Sequence, residues 1–169
     1  MSNISFKNDI LPLKDELFRL ALRITMNREE AEDVVQETML KVWNKRDTWS
    51  EIESIEAYCL TVCRNMALDA LRRRDRHPVV EEEPIDTADQ SASPLDITQQ
   101  KDGVSMVQRL INRLPEKQRS CMQLRDIEGK TYKEIAQIMS ISEEQVKVNI
   151  FRARQAIKQQ FKKAEQYGL

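Results

Sequence analysis

The sequence predicts an all-α protein of two small helical domains joined by a flexible acidic linker, and three observations carry that prediction. First, the 169 residues include only three Gly and five Pro, so turns are scarce and helices long. Second, every periodic stretch repeats its apolar residues at i, i+3, i+4 and i+7, the mark of a helix with one buried face. Third, charge divides the chain in three. Residues 1–74 carry 12 Lys/Arg against 13 Asp/Glu, residues 75–103 carry 2 against 8, and residues 104–169 carry 13 against 7. The overall net charge of −1 hides an acidic middle and a basic C-terminal part. Aromatic residues make up 5% of the chain, so the cores have to be built from Leu, Ile, Val, Met and Ala.

The N-terminal domain, 1–76, reads as three helices. The first, over about 8–26, stripes Leu13, Leu17, Leu20, Ala21 and Ile24 along one face. The second, over about 28–46, does so with Ala31, Val34, Val35, Thr38, Met39 and Val42. The third, over about 54–75, uses Cys59, Val62, Cys63, Met66, Ala67, Ala70 and Leu71. Cys59 and Cys63 share that face. With His77 as the only histidine and no second ligand pair at useful spacing, they read as small core residues and not as a metal site. Trp43 is expected in the core, and Trp49 reads as a possible local anchor.

The linker, 77–103, holds Pro78, Pro84, Pro94 and the run Glu81-Glu82-Glu83. Its composition buries too little apolar surface to offset the entropy of ordering. As a coil it spans about 30 Å, and at full stretch ~90 Å.

The C-terminal domain, 104–169, reads as four helices. Val104, Val107, Leu110 and Ile111 mark the first, over about 104–113. Pro115 opens the second in an early-helix position, and Gly129 ends it. Thr131-Tyr132-Lys133-Glu134 and Ser142-Glu143-Glu144-Gln145 are capping-box signatures for the third and fourth. A short helix, the turn Ser140-Ile141-Ser142 and a longer helix have the spacing of a helix-turn-helix. In the last helix the core stripe is Val146, Ile150, Ala153, Ile157 and Phe161, which leaves Val148 and Phe151 facing away from it among Lys147, Asn149, Arg152 and Arg154. Basic, amide and apolar groups on one face suit a major groove, where Arg pairs with guanine, Asn with adenine and apolar groups with thymine methyls. A solvated face or a protein contact would use the same residues.

Two surfaces of the N-terminal domain also stand out. Thr61, Asn65, Asp69 and Arg72 form a polar stripe on the third helix, which closes on Arg72-Arg73-Arg74 and Arg76. That cluster complements the helix C-terminus, and it is more basic than a cap requires. The second helix turns Glu29, Glu30, Glu32, Asp33, Gln36 and Glu37 outward. Capping electrostatics or a basic protein partner would each account for them.

No apolar run approaches the roughly 20 residues that span a bilayer, and the N-terminus has no signal-peptide pattern, so a cytoplasmic address is expected. No Gly-rich phosphate loop, nucleophile elbow or metal set occurs; no enzyme activity, catalytic residue or cofactor is expected.

Ala31-Glu32-Asp33-Val34-Val35-Gln36-Glu37-Thr38 with Lys41-Val42-Trp43 resembles the second region of sigma factors. Ala57-Tyr58 and Arg64 through Arg73 resemble the segment that recognises and melts the −10 element. Leu114-Pro115-Glu116-Lys117-Gln118-Arg119, Gly129 through Ala136, Val146-Lys147 and Phe151-Arg152-Ala153-Arg154 resemble the domain that reads the −35 element. The chain therefore resembles the extracytoplasmic-function (ECF, RpoE-like) group of sigma-70 factors, DNA-binding proteins of transcription initiation.

The resemblance implies partners and roles. Asp33, Val34, Gln36 and Glu37 would dock on the clamp helices of the largest subunit of core RNA polymerase. Trp49 and Ser50 would belong to a loop that captures a flipped base. Tyr58, Asn65 and Asp69 would lie by the opening duplex, with Arg72 and Arg73 on phosphates. Lys147, Val148, Asn149, Phe151, Arg152 and Arg154 would meet the −35 promoter DNA. The flap of the second-largest subunit and an anti-sigma factor are further expected partners, and no small-molecule substrate is. Met39, Glu144, Val148 and Asn149 depart from the usual pattern, so no particular −35 sequence follows.

Overall fold

The structure is a computed structural model that describes residues 3–76 and 102–166. The acidic linker expected at 77–103 lies outside the described residues, apart from its last two. These begin the fourth helix at Asp102, two residues earlier than expected.

The N-terminal domain is built on α1 (Lys14–Thr25), α2 (Arg28–Asn44) and α3 (Ile55–Arg76). The first helix starts later than its apolar stripe suggested. A π-helical turn, Phe6–Ile10, and a 3-10 turn, Leu11–Leu13, come before it. Pro12 is the reason, because it has no N–H to continue an α-helical ladder. Ser5 starts this entry, its hydroxyl accepting from the Asn8 N–H at 3.2 Å. Met26 then turns left-handed at φ 56° and closes α1, donating its N–H to the Leu22 carbonyl. Asn27 caps α2 by accepting from the Glu30 N–H at 2.8 Å, and Ser54 does the same for α3 from Ala57 at 3.1 Å.

The expected stripes are the observed core. Leu17, Leu20, Ala21 and Ile24 of α1 meet Ala31, Val34, Val35 and Val42 of α2 and Cys59, Val62, Cys63, Ala67 and Ala70 of α3. All three cysteines are buried free thiols; burial pushes Cys59 and Cys63 up to about 12 and Cys121 to about 11, so they are poor nucleophiles. One expectation is overturned. Trp43 is 43% exposed, and Trp49, in the 3-10 turn Arg46–Glu51, is the buried one at 7%. The core stripe of α2 runs through Val42, which leaves its neighbour about 100° away. Trp49 folds back over that end of the helix and donates its indole N–H to the Val42 carbonyl at 3.1 Å.

The C-terminal domain comprises α4 (Asp102–Asn112), α5 (Glu116–Met122), α6 (Tyr132–Met139) and α7 (Glu143–Gln166). Pro115 stands at the N-cap of α5, one position earlier than expected, and α5 continues into a π-helical turn, Gln123–Ile127. Gly129 ends that turn at φ +73°, a backbone conformation that a side chain would strain. Both capping boxes form. Thr131 and Glu134 bond reciprocally at the start of α6. At the start of α7, the Gln145 backbone N–H donates to the Ser142 hydroxyl and the Ser142 N–H to the Gln145 side-chain Oε1, each at 3.1 Å. Ser140, left-handed at φ 59°, makes the turn between α6 and α7.

The two domains pack against each other. Cys121, Leu124, Ile135, Ile138, Met139, Val146 and Ile150 join the same buried cluster as α1, α2 and α3. A smaller cluster of Ile111, Leu114, Met122 and Ala153 holds α4 to α5 and α7. No helix among the described residues is long and apolar enough to cross a membrane.

Candidate nucleic-acid and polymerase interface

The last helix presents two opposite faces, as its sequence requires. Val146, Ile150 and Ala153 are buried, while Val148 is 40% and Phe151 63% exposed. Lys147 and Arg152 are exposed beside them. Asn149 is half-buried and spends one amide N–H on the Gln145 carbonyl at 2.8 Å. That leaves its carbonyl oxygen and second N–H for another partner. Arg154 is paired with Asp126 of the preceding π turn, its Nε donating at 3.2 Å and its Nη2 making a second, shorter contact. Tyr132, the first residue of α6, lies between two cations, with Arg125 4.3 Å and Lys147 5.3 Å from its ring centre. Arg125 also donates to the Lys130 carbonyl at 2.8 Å. The turn, the start of α6 and α7 thus form one basic face with two apolar side chains standing out of it.

On α3, Asn65, Asp69, Arg72 and Arg73 are exposed and Tyr58 is half-buried, where burial raises its phenol above the usual range. Arg72 pairs with Asp69 at 2.9 Å. Both side chains are in water, so the pair is weak and exchangeable. The Arg cluster is not uniform. Arg74 donates to the Thr25 carbonyl at 2.7 Å and pairs with Glu30. It ties α3 to the end of α1 and the start of α2. Arg72, Arg73 and Arg76 remain turned outward.

Two expected contact residues are turned inward. Val34 is 2% and Trp49 7% exposed, so each supports its surface from beneath. Ser50 is exposed at the tip of the turn that Trp49 anchors.

Asp33, Gln36 and Glu37 are exposed on α2. With Glu30, Arg73 and Arg74 they line a groove of about 450 Å³ between α2 and the end of α3. The same face of α2 continues into Leu40, 62% exposed, and Trp43. Trp43 packs edge-on against Phe6 and Trp49 and lies under the Arg46 guanidinium at 4.3 Å. Sequence reasoning missed these two as surface residues. The signal was present: Leu40 falls off the core stripe one turn after Gln36, just as Val148 and Phe151 do in α7. A second groove, about 330 Å³, lies between α4 and the end of α7. Met106, Leu110 and Ala164 form its apolar floor, with Arg109, Arg113 and Lys163 at its edges.

Residues 10–77 match the model of sigma-70 region 2, and residues 105–157 that of sigma-70 region 4. The chain is 32% identical to the ECF RNA polymerase sigma factor SigF of Caulobacter vibrioides over 139 residues, 80% of this chain and 73% of that protein. It is 27% identical to SigM of Bacillus subtilis over 146 residues, 85% of this chain and 87% of that protein. In fold it is similar to the sigma factor RpoE of Bartonella quintana, solved in complex with the anti-sigma factor NepR. The TM-score is 0.75 at 23% identity, covering 93% of this chain and 96% of that one.

Proposed function

The chain belongs to the sigma-70 family of RNA polymerase sigma factors, in its extracytoplasmic-function group, and from that membership we propose how its surfaces divide the work. It binds core RNA polymerase and directs promoter-specific initiation, recognising the −10 and −35 elements and promoting DNA melting. Asp33, Gln36 and Glu37 meet the clamp helices, with Val34 packing beneath them. Leu40 and Trp43 extend that contact, because exposed apolar side chains beside a charged face are what a buried protein interface uses. The groove between α4 and α7 receives the flap, whose apolar side chains its floor suits. The domains are 1–76 and 104–169, joined by 77–103.

Region 2 acts on the −10 element through α3. Tyr58 and Asn65 face the opening strand, and Arg72 and Arg73 hold phosphates. The Asp69 carboxylate keeps Arg72 positioned until DNA replaces it. Ser50 sits at the tip of a turn whose shape Trp49 maintains, so a flipped base meets the turn and not the indole. Region 4 places Lys147, Val148, Asn149, Phe151 and Arg152 in the −35 groove, and Asp126 aims Arg154. As RpoE is held by NepR, this chain is held by an anti-sigma factor.

The observation that carries the reading is the pairing, on one chain, of a solvent-facing acidic and apolar face on α2 with a basic and apolar face on α7. The test is gel filtration with bacterial core RNA polymerase. The native chain should co-elute, Asp33→Arg should abolish co-elution, and Gln36→Ala should weaken it. Failure of the native chain to associate, together with specific duplex binding by the chain alone, would mean a free-standing DNA-binding regulator.

A further inference from the structure

Arg72 and Arg73 are neighbours in sequence, but α3 points them to different sides. Successive residues of an α-helix lie about 100° apart. Arg72 falls in line with Asn65 and Asp69 of the polar stripe, and it pairs with Asp69 at 2.9 Å. Arg73 falls in line with Met66 and Ala70, which belong to the packed side of α3. The consequence is visible in the groove of about 450 Å³ between α2 and the end of α3. Arg73 lines it and Arg72 does not, with Glu30, Asp33, Gln36 and Glu37 on the α2 side.

The two arginines of this groove differ in what satisfies them. Arg74 is spent inside the chain, on the Thr25 carbonyl and Glu30. Arg73 is exposed, and among the described residues it pairs with no carboxylate, nor do Asp33 and Glu37 pair with a cation. The groove therefore offers both signs of charge to a partner. A partner surface carrying only cations would satisfy the α2 side and be repelled by Arg73, which costs affinity. An uncharged one would strip water from Arg73 and give it nothing in return. An acidic side chain opposite Arg73 removes both costs. The α2 side of the groove continues into exposed Leu40 and Trp43, so the groove is one end of the polymerase-docking face and shares its partner.

We propose that Arg73 is a polymerase-binding residue: the clamp helices set basic side chains against Asp33 and Glu37 and an acidic side chain against Arg73. The inference rests on the docking of α2 proposed above. It is compatible with a phosphate contact, because a guanidinium has five N–H donors, enough for a carboxylate at one edge and a phosphate at another. The test is the affinity of the full chain for core RNA polymerase with no DNA present, read by fluorescence anisotropy. The dye is carried at Lys158→Cys, an exposed position, and the native cysteines are buried and resist labelling. Arg73→Glu should bind roughly tenfold more weakly or worse, and Arg73→Lys, which keeps the charge, should recover most of the loss. Affinity should fall less steeply with salt in Arg73→Gln than in the native chain, since one screened pair is gone; a purely structural role would not move that slope. Arg76→Glu makes the same charge change at an exposed position outside the groove and should bind as the native chain does. Native affinity in Arg73→Glu, or an equal loss in Arg76→Glu, would overturn the proposal while failure of Asp33→Arg to bind still upheld the docking of α2. A native chain that does not bind, or an Asp33→Arg variant that does, would overturn that docking and this proposal with it.

Discussion

At the scale of single residues, two positions separate stability from function. Ser140 turns left-handed at φ 59° to join α6 to α7, where a side chain costs about 1 kcal/mol or more that glycine does not. Ser140→Gly should therefore raise the unfolding free energy by about 0.5–1 kcal/mol, read from urea denaturation. An unchanged or lower midpoint would show that the Ser140 side chain repays its strain. The two tryptophans should part company. Trp49→Ala empties a buried site and breaks the indole bond to Val42, so it should cost ~3 kcal/mol. Trp43→Ala removes a half-exposed ring and should cost no more than about 1 kcal/mol, while weakening association with polymerase in gel filtration. Equal losses of stability would mean that Trp43 is a structural residue and no part of the docking face.

At the scale of elements, α1, α3 and the turn before α6 meet in the cluster of Glu16, Glu56 and Lys130. Burial, followed by the hydrogen bond with Glu56, pushes Glu16 up to about 7 from an ordinary 4.5. Glu56 is held below its ordinary value, where the Lys130 and Glu16 hydrogen bonds outweigh its own burial. Lys130 between them is raised by the two carboxylates against the opposing effect of burial. Arg19, one turn along α1, also faces Glu16. The folded chain therefore holds a proton on Glu16 that the unfolded chain releases. Its contribution to stability is complete below about 4.5 and is lost as the pH rises through about 7. Glu56 acts in the opposite sense, and its contribution is lost as the pH falls through its lowered value. The Glu16 contribution should therefore fall between pH ~5 and pH ~8, read from urea denaturation at the two values. Glu16→Gln should flatten the profile, and an unaltered slope in that variant would place the titrating group elsewhere.

At the scale of the whole molecule, a sigma factor has to be one protein in two places. Its domains must fold separately enough to reach elements ~70 Å apart and yet remain one chain. The structure reconciles these demands with two kinds of contact. The two domains share a buried apolar cluster, and around it charged groups pair across the seam, Arg19 with Glu128, Arg64 with Glu116 and Lys130 with Glu16 and Glu56. The basic groups of the −35 domain also divide by role. Lys130 and Arg119 face the other domain, whereas Lys147 and Arg152 remain outside.

The sequence by itself determined the helices, the two capping boxes of the C-terminal domain, the buried stripes and the outward face of α7. Each of these depends on residues within a turn or two of one another, and helical periodicity converts that spacing directly into direction. The polar stripe of α3 and the acidic side of α2 were legible for the same reason. Only the tertiary structure decided which tryptophan is buried, because that depends on how the 3-10 turn folds back over α2. It also decided that Arg74 ties three helices together while Arg72 and Arg73 stay outside, although the three are adjacent in the chain. The ion pairs between the two domains were equally invisible in the sequence. Arg19 and Glu128 lie 109 residues apart, and Lys130 and Glu56 lie 74 apart. Spacing carries no information about partners that meet only when two separately patterned domains come together.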